Sequence, residues 1–432
     1  MKILQVLHAA LPEHVGGTEV HAHQLAHALQ KRKHDVACLF TTLDHARAAG
    51  AIVDGGFDGV RTIERVRHAD IADVHERWID PRADQDFASV LERERPDVVH
   101  FQHLAGWGPR CIASAREHGC AVVVTLHDYH ALCDRGTLLR ADGELCPRAG
   151  AECTDCLARH PLDPPAEGAE RTLRLAAAQK ERRAHFQRAL AQAHAVIAPS
   201  RFLARTFTQA GFLSGVLVEI LSPGTVGPLH KPRARKGGRL RLGFVGKLDP
   251  AKGCHVLIDA LRLLARAPVE LAVHGGGDAG SDYAKELERR AAGLPVVFHG
   301  RFDPRAVDPI YAGIDVMVAP SLAFENHPLS VQDAFRNGVP VVASELGGVS
   351  ELVQDGINGL LFPRGDARAL ARCVEALLAD PSLYNRLTRD RPPLVSVDSV
   401  AERLERLYAR FRAAPQSREH PPASPLDREV QA

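Results

Sequence analysis

Short, nearly unbroken runs of Val, Ile and Leu recur along the chain, each followed by a stretch where apolar residues return every three or four positions. The runs at 3–8, 36–40, 98–101, 122–127 and 196–198 occupy the first half, and those at 240–245, 271–274, 296–299, 316–319 and 339–343 the second. A strand that is apolar at successive positions is buried on both faces, which implies a parallel sheet covered by helices. Helical spacing follows at 20–30, 255–264, 366–378 and 399–411. The pattern predicts an α/β protein of two doubly wound, Rossmann-like domains. The first domain covers 1–228 and carries a Cys-rich insert at about 130–160. A Pro/Gly-rich, basic linker at 229–240 leads to a second domain at 241–378. Helices at 379–413 can cross back, and the polar, Pro-rich segment 414–432 is expected to be disordered.

Length and composition sharpen this only at a few points. A chain of 432 residues suits two cores better than one. Lys and Arg number 54 against 53 Asp and Glu, so the balance carries no signature of nucleic acid or of a membrane surface. No apolar run is long enough to span a bilayer. The start, residues 1–7, reads as a strand and lacks the features of a signal peptide. Nine cysteines, an odd number in a large chain, point to a reducing compartment. The expectation is a cytoplasmic protein, at the inner face of the membrane where its acceptor is lipid-linked.

The candidate chemistry is densest at 320–344. A buried strand exits at Pro320-Ser321 and is followed by Glu325, with Asp333 seven residues beyond. Open parallel sheets bind ligands at the carboxyl ends of their strands. Pro328 suits the first turn of a helix, which places Asn326, His327 and Leu329 near a helix N-terminus, where free N–H groups favour phosphate. A carboxylate beside a phosphate site makes chemical sense if it grips neutral hydroxyls, as on a sugar. Two further loops fit. Gly16-Gly17 opens a helix after the first strand, without the G-x-G-x-x-G spacing of a dinucleotide site. Lys247 and Lys252 flank a strand-to-helix loop, from which both can reach a diphosphate.

With these motifs assembled, the chain resembles glycosyltransferase family 4, of the GT-B fold, over nearly its whole length. The matching stretches are Gly16-Gly17-Thr18-Glu19, 123–128 and Ala198-Pro199-Ser200, then Phe244-Val245-Gly246-Lys247 with Lys252-Gly253, 320–333, and Gly347-Gly348 with Glu351. The resemblance implies a retaining transfer of a hexosyl group from a UDP- or GDP-sugar to a sugar or lipid-linked acceptor, in a cleft between the domains. Carried over, Lys247 and Lys252 neutralise the diphosphate and Glu325 binds the donor-sugar hydroxyls. Asp333 holds the ribose, the amides near Asn326, His327 and Leu329 cap the distal phosphate, and Gly16-Gly17 approaches the donor. The segment Phe298-His299-Gly300-Arg301 holds the base. Lys247 stands where the family usually has Arg, and Asp333 where it usually has a second Glu. Both keep their charge. A non-catalytic nucleotide-sugar-binding relative is the alternative, while a nicotinamide oxidoreductase is disfavoured by the missing glycine fingerprint.

The first domain adds histidines near strand ends: His8, His14, His100, His103, His127 and His130. His127 matches the resemblance best, as a group that positions and polarises the acceptor. His23 and His27, spaced i, i+4, can share a metal, but no third ligand is evident and a solvated helix face is the expectation. Cys133, Cys146, Cys153 and Cys156 end in a C-x-x-C pair. They read either as ligands of a structural zinc or as unrelated thiols, with no cofactor needed for the chemistry. The basic helical stretch 171–188 reads as a solvated face or, if the acceptor is a lipid, as a peripheral membrane contact.

Overall fold

The computed structural model describes residues 1–413 except 69–70, 147–152, 236, 265 and 278–280. The tail at 414–432, expected to be disordered, lies outside the described residues. The chain divides into two compact units, 1–223 with the last helix Val397–Ala413, and 224–396.

The first unit is built on an eight-stranded sheet. Its strands are β1 (Lys2–Val6), β2 (Asp35–Leu43), β3 (Ile52–Phe57), β4 (Val60–Arg67), β5 (Val98–Phe101), β6 (Ala121–Thr125), β7 (Ala195–Ala198) and β8 (Leu217–Ile220), in the order β3-β4-β2-β1-β5-β6-β7-β8. All pairings are parallel except the β3–β4 hairpin at one edge. The second unit holds β9 (Leu240–Val245), β10 (Val269–His274), β11 (Val296–Gly300), β12 (Val316–Ala319), β13 (Val341–Ser344) and β14 (Gly359–Phe362). They run parallel throughout in the order β11-β10-β9-β12-β13-β14. In each sheet the strand order reverses beside the unit's first strand, between β1 and β5 and between β9 and β12. A crevice opens at the carboxyl ends of the strands at such a point.

The expected strands are all present, and four more join them. β3 was illegible because its residues IVDGGF are mostly exposed and lack an apolar face. The run predicted at 339–343 begins its ladder at Val341, since Pro340 has no N–H and only accepts, from Met317 N at 3.0 Å. Pro328 sits at the cap position, and the helix starts at Leu329.

The unit boundaries differ from those read in the sequence. The described basic residues at 231–235 do not float as a linker but belong to the second unit. Arg233 donates to the carbonyls of Tyr311 at 3.1 Å and Ile314 at 2.7 Å, and Arg235 N donates to Asn385 Oδ1 at 3.0 Å. Helix Pro381–Leu387 packs Tyr384 and Leu387 into the second core. Helix Val397–Ala413 instead returns to the first unit. Val397, Val400, Ala401, Leu404 and Tyr408 form one apolar stripe, buried against Ile3, Leu25, Val98 and Val123. Each large side chain of that stripe contributes about 1.5–3 kcal/mol by leaving water. Tyr408 Oη also meets His100 Nδ1 at 2.6 Å, so the helix supplies a polar partner inside the sheet.

Candidate functional site

In the second unit the β9 and β12 exits converge on one ion pair. After β9, Asp249 caps the short turn Pro250–Lys252 by accepting from Ala251 N at 2.8 Å. The turn aims Lys252 at Glu325, and Nζ lies 2.6 Å from Oε1. Ser321 Oγ donates to the same oxygen at 2.8 Å. Two backbone clamps hold the pair. Leu322 N donates to Ala251 O at 2.7 Å, locking the β12 exit onto the lysine turn. Gly348 N donates to Glu325 O at 2.6 Å from the loop after β13. That approach requires Gly347, which has φ of 65° and where a Cβ would fall 2.7 Å from Glu325 O. The sequence pointed to Lys252, Glu325 and Gly347-Gly348 separately; that they form one clamped unit, with Ser321, was not legible.

The other predicted positions of this unit spread around the pair. Lys247 is exposed in the loop after β9. Asn326 and His327 precede helix Leu329–Arg336, and burial lowers the His327 pKa to about 4, so its ring is neutral. Asp333 lies on the second turn of that helix, 3.5 Å from Arg336 Nε, and Arg336 also pairs with Asp308. Burial raises the Asp333 pKa to about 6 against the opposing pull of Arg336. Neither Arg336 nor Asp308 was singled out in the sequence, because Asp308 opens a separate helix, Asp308–Gly313, distant in sequence from Arg336. Arg301 donates from Nη2 to Gly277 O at 2.8 Å, bridging the β10 and β11 exits. Beside it the imidazoles of His274 and His299 stack with centroids 4.3 Å apart.

In the first unit the exits of β1, β5 and β6 gather a histidine cluster. Gly16 caps helix Gly17–Lys31, and a Cβ there would meet Glu19 Oε2 at 2.5 Å, because Glu19 folds back over the helix start. Glu19 Oε1 lies 3.0 Å from His8 Nε2. Burial raises the Glu19 pKa and lowers that of His8 to about 3. His103 Nε2 lies 3.1 Å from Asp128 Oδ2, and its ring centroid is 4.1 Å from that of His8. Burial works against the charge of His103, but the Asp128 and Glu19 carboxylates outweigh it and its pKa is raised. His127 differs: burial and neighbouring histidines hold its pKa well below the ordinary value. Its Nε2 donates to Gln102 Oε1 at 2.7 Å, and Gln102 in turn donates to Gln5 Oε1 at 2.8 Å, which fixes the tautomer. The neighbours therefore favour the charged form at His103, while His127 presents a neutral ring. His100 lies inside the sheet between Tyr408 and Thr125 Oγ1, the latter at 2.7 Å. Arg67, at the end of β4, was not picked out. It is largely buried, and its Nε has no hydrogen-bond partner among the described residues.

The cysteines come together as neighbours. Burial pushes the Cys153 thiol up to about 11, with Cys146, Cys133 and Cys156 adding to the effect. The adjacent Asp134 is buried and bonded to Arg77 and Arg159, each at 2.8 Å, and to His160 at 3.0 Å. The basic stretch 171–188 lies within helix Gly168–Gln192 and is not simply a solvated face. Arg182 is buried and donates to Ala131 O at 3.2 Å, while Arg171 and Arg174 donate to carbonyls of Ala158, His160 and Asp163. These arginines tie the helix to the chain at Ala131 and at 158–163. No described helix is long and apolar enough to cross a membrane.

Residues 15–225 match the profile described as Glycosyltransferase Family 4, and residues 239–380 that described as Glycosyl transferases group 1. The chain belongs to glycosyltransferase family 4. Among curated relatives, a D-inositol 3-phosphate glycosyltransferase of Corynebacterium urealyticum is 31% identical over 221 residues, covering 48% of this chain and 52% of that protein. A phosphatidyl-myo-inositol mannosyltransferase of Mycobacterium leprae is 35% identical over 158 residues, or 34% of this chain and 41% of that protein. The chain thus spans about half or less of the length of these curated relatives. Among solved structures, a sucrose-phosphate synthase of Thermosynechococcus elongatus superposes with a TM-score of 0.70 at 20% identity, over 96% of this chain and 100% of that one. HepE of Anabaena, in complex with UDP and glucose, gives 0.63 at 20% identity over 95% and 99%. The fold of this family 4 chain is GT-B, two Rossmann-like domains with parallel sheets.

Proposed function

We propose that the protein transfers a hexosyl group from a nucleotide-sugar to an acceptor hydroxyl with retention of anomeric configuration. The observation that carries this reading is the clamped Lys252–Glu325 pair beside the start of helix Leu329–Arg336. An ammonium and helix N–H groups stabilise the charge that develops on a departing diphosphate, while a carboxylate accepts hydrogen bonds from sugar hydroxyls. In the absence of donor the two side chains neutralise each other; a bound donor takes both. Lys247 supplies a second cation for the diphosphate, and Arg301 and the backbone near it border the base. No metal is needed to carry the leaving-group charge in this reading, and the four cysteines stay candidate ligands of a structural zinc.

The acceptor is placed on the first unit, where His8–Glu19 and His103–Asp128 offer paired acids and bases to a polyhydroxylated molecule and His127 polarises the attacking hydroxyl. Relatives named for D-inositol 3-phosphate and phosphatidyl-myo-inositol support an inositol-type acceptor in glycolipid or glycoconjugate synthesis. Arg67 is a cation suited to its phosphate. The reading is tested by thermal shift with UDP- and GDP-sugars, followed by transfer to inositol phosphates with the anomeric configuration read by NMR. One donor is expected to raise the melting temperature by mass action and to give a product of retained configuration. An inverted product, or a stabilising donor that is never consumed, would overturn the transfer reading.

Asp333 gives a pH prediction. Ribose hydroxyls donate to its ionised form, and its pKa is about 6. The donor KM of the wild type should therefore rise as pH falls from about 7 to about 5, and the profile should flatten in Asp333→Asn. The stability term has the opposite sign. Between the ordinary carboxylate value and about 6 the folded chain holds this proton more tightly than the unfolded one. This group therefore adds stability as pH falls through that window and loses it as pH rises. A donor KM independent of pH in the wild type would remove Asp333 from the ribose.

A further inference from the structure

His23 and His27, which showed no third ligand in the sequence, acquire one in the fold. They stand one turn apart on helix Gly17–Lys31, and His23 is buried, which corrects the expected solvated face. The third group is Asp58, at the tip of the β3–β4 hairpin. Phe57 pairs with Val60, so Asp58-Gly59 is a two-residue turn, and both residues have positive φ, 48° and 78°. That is the geometry of a type I′ turn, for which Asp-Gly is a preferred sequence. The turn is fastened to the helix by Gln30 Nε2, which donates to Gly59 O at 3.1 Å, and by the ring of Phe57, whose centroid is 5.3 Å from that of His23.

Three ligand atoms converge there in a triangle. His23 Nε2 lies 3.2 Å from Asp58 Oδ2, His27 Nε2 lies 3.5 Å from the same oxygen, and the two Nε2 atoms are 3.2 Å apart. Protons alone satisfy this arrangement poorly. A carboxylate only accepts, and each Nε2 carries at most one hydrogen. If both nitrogens are protonated toward Asp58, their N–H groups oppose each other across the 3.2 Å edge; if one is not, an edge to the carboxylate is lost. A tetrahedral ion with bonds of about 2.0–2.1 Å separates its ligands by about 3.3–3.4 Å, which matches all three edges.

We propose that His23, His27 and Asp58 bind one divalent zinc ion, with the fourth position open to water. Two imidazoles and a carboxylate are a donor set that suits zinc. The side chains of His27 and Asp58 are 37% and 42% exposed, which leaves an entry path and room for the water. The ion ties the hairpin, whose edge strand β3 is mostly exposed, to the helix that begins at Gly16-Gly17 and carries Glu19. The site shares no residue with the four cysteines or with the Lys252–Glu325 pair.

The test uses the full chain stripped with a chelator and titrated with zinc, comparing wild type, Asp58→Asn and His27→Gln. Asn keeps the I′ turn and removes the charged ligand, so the fold is preserved while the site is not. Each variant should retain one zinc fewer per chain after dialysis. Zinc should raise the melting temperature of the wild type more than that of either variant. Cobalt distinguishes this site from the cysteines: the variants should lose weak ligand-field bands and keep any intense thiolate-to-metal charge-transfer band. Equal zinc content in all three proteins, or loss of only the thiolate band, would overturn the proposal.

Discussion

Replacing Lys252 by Ala should lower kcat for sugar transfer by about 10²–10³-fold, the usual cost of removing one preorganised stabiliser of developing charge. Replacing Glu325 by Gln should reduce activity as severely, because a carboxamide keeps the shape but loses the charge that orders both the sugar hydroxyls and the lysine. The two variants should differ in stability. Lys252 is 40% exposed and rehydrates easily when its partner is neutralised, whereas Glu325 is only 15% exposed. Without Lys252 the Glu325 carboxylate keeps the Ser321 hydroxyl and loses its countercharge, at a cost of about 1–3 kcal/mol. A double-mutant cycle separates a structural pair from a functional one. Unfolding free energies of Lys252→Ala and Glu325→Gln should be non-additive by about 0.5–3 kcal/mol, since one change removes the need for the other. Activity should behave differently, the double variant staying as low as the singles because the donor needs both groups. Recovery of turnover in the double variant, or near-normal kcat in Lys252→Ala, would reduce the pair to an ordinary salt bridge.

Most of the fold was legible because burial on both faces leaves a simple trace, the unbroken Val/Ile/Leu run. Three of the four strands that escaped break this rule. β3 is largely exposed, and β8 and β14 are four-residue strands at the ends of their sheets, partly exposed at Leu217 and Leu360. The last helix was legible as amphipathic, but its address was not. Its apolar stripe would suit either core, and only the packed partners, such as His100 for Tyr408, decide that it belongs to the first unit. The same limit applies to the sites. Lys252 and Glu325 stood out as residue types at strand exits, while their 2.6 Å contact depends on loops 73 residues apart. Asp58 was invisible as a ligand because a hairpin turn, not a helical spacing, brings it to His23 and His27. His103 and His127 looked alike in sequence, and the opposite directions of their pKa shifts follow from which one faces Asp128.

Gly253→Ala should be severely damaging although it removes no chemical group. Gly253 has φ of 70°, and a Cβ there would fall 1.9 Å from Pro320 O and 2.9 Å from Pro320 C. These are backbone atoms, so no rotamer change relieves the clash, and the left-handed conformation itself costs Ala about 1–2 kcal/mol. An ordinary contact needs about 3.4 Å, so the β9 and β12 exits must separate by about 1.5 Å. They cannot do so without breaking the Leu322 N to Ala251 O bond at 2.7 Å, which aligns Lys252 with Glu325. A displacement of about 1 Å at a reacting centre is enough to lose 10²-fold in rate, and that is the expected fall in kcat/KM. Stability should drop by about 2–4 kcal/mol from strain and the lost bond together. Gly313→Ala is the control, since Gly313 has no positive φ and open space where its Cβ would go; it should leave both quantities nearly unchanged. The decisive comparison is kcat/KM per folded molecule, measured well below the melting temperature of the Gly253→Ala protein. A loss confined to stability would mean that the loops part without disturbing the ion pair, and the clamp would then support the fold and not the transfer.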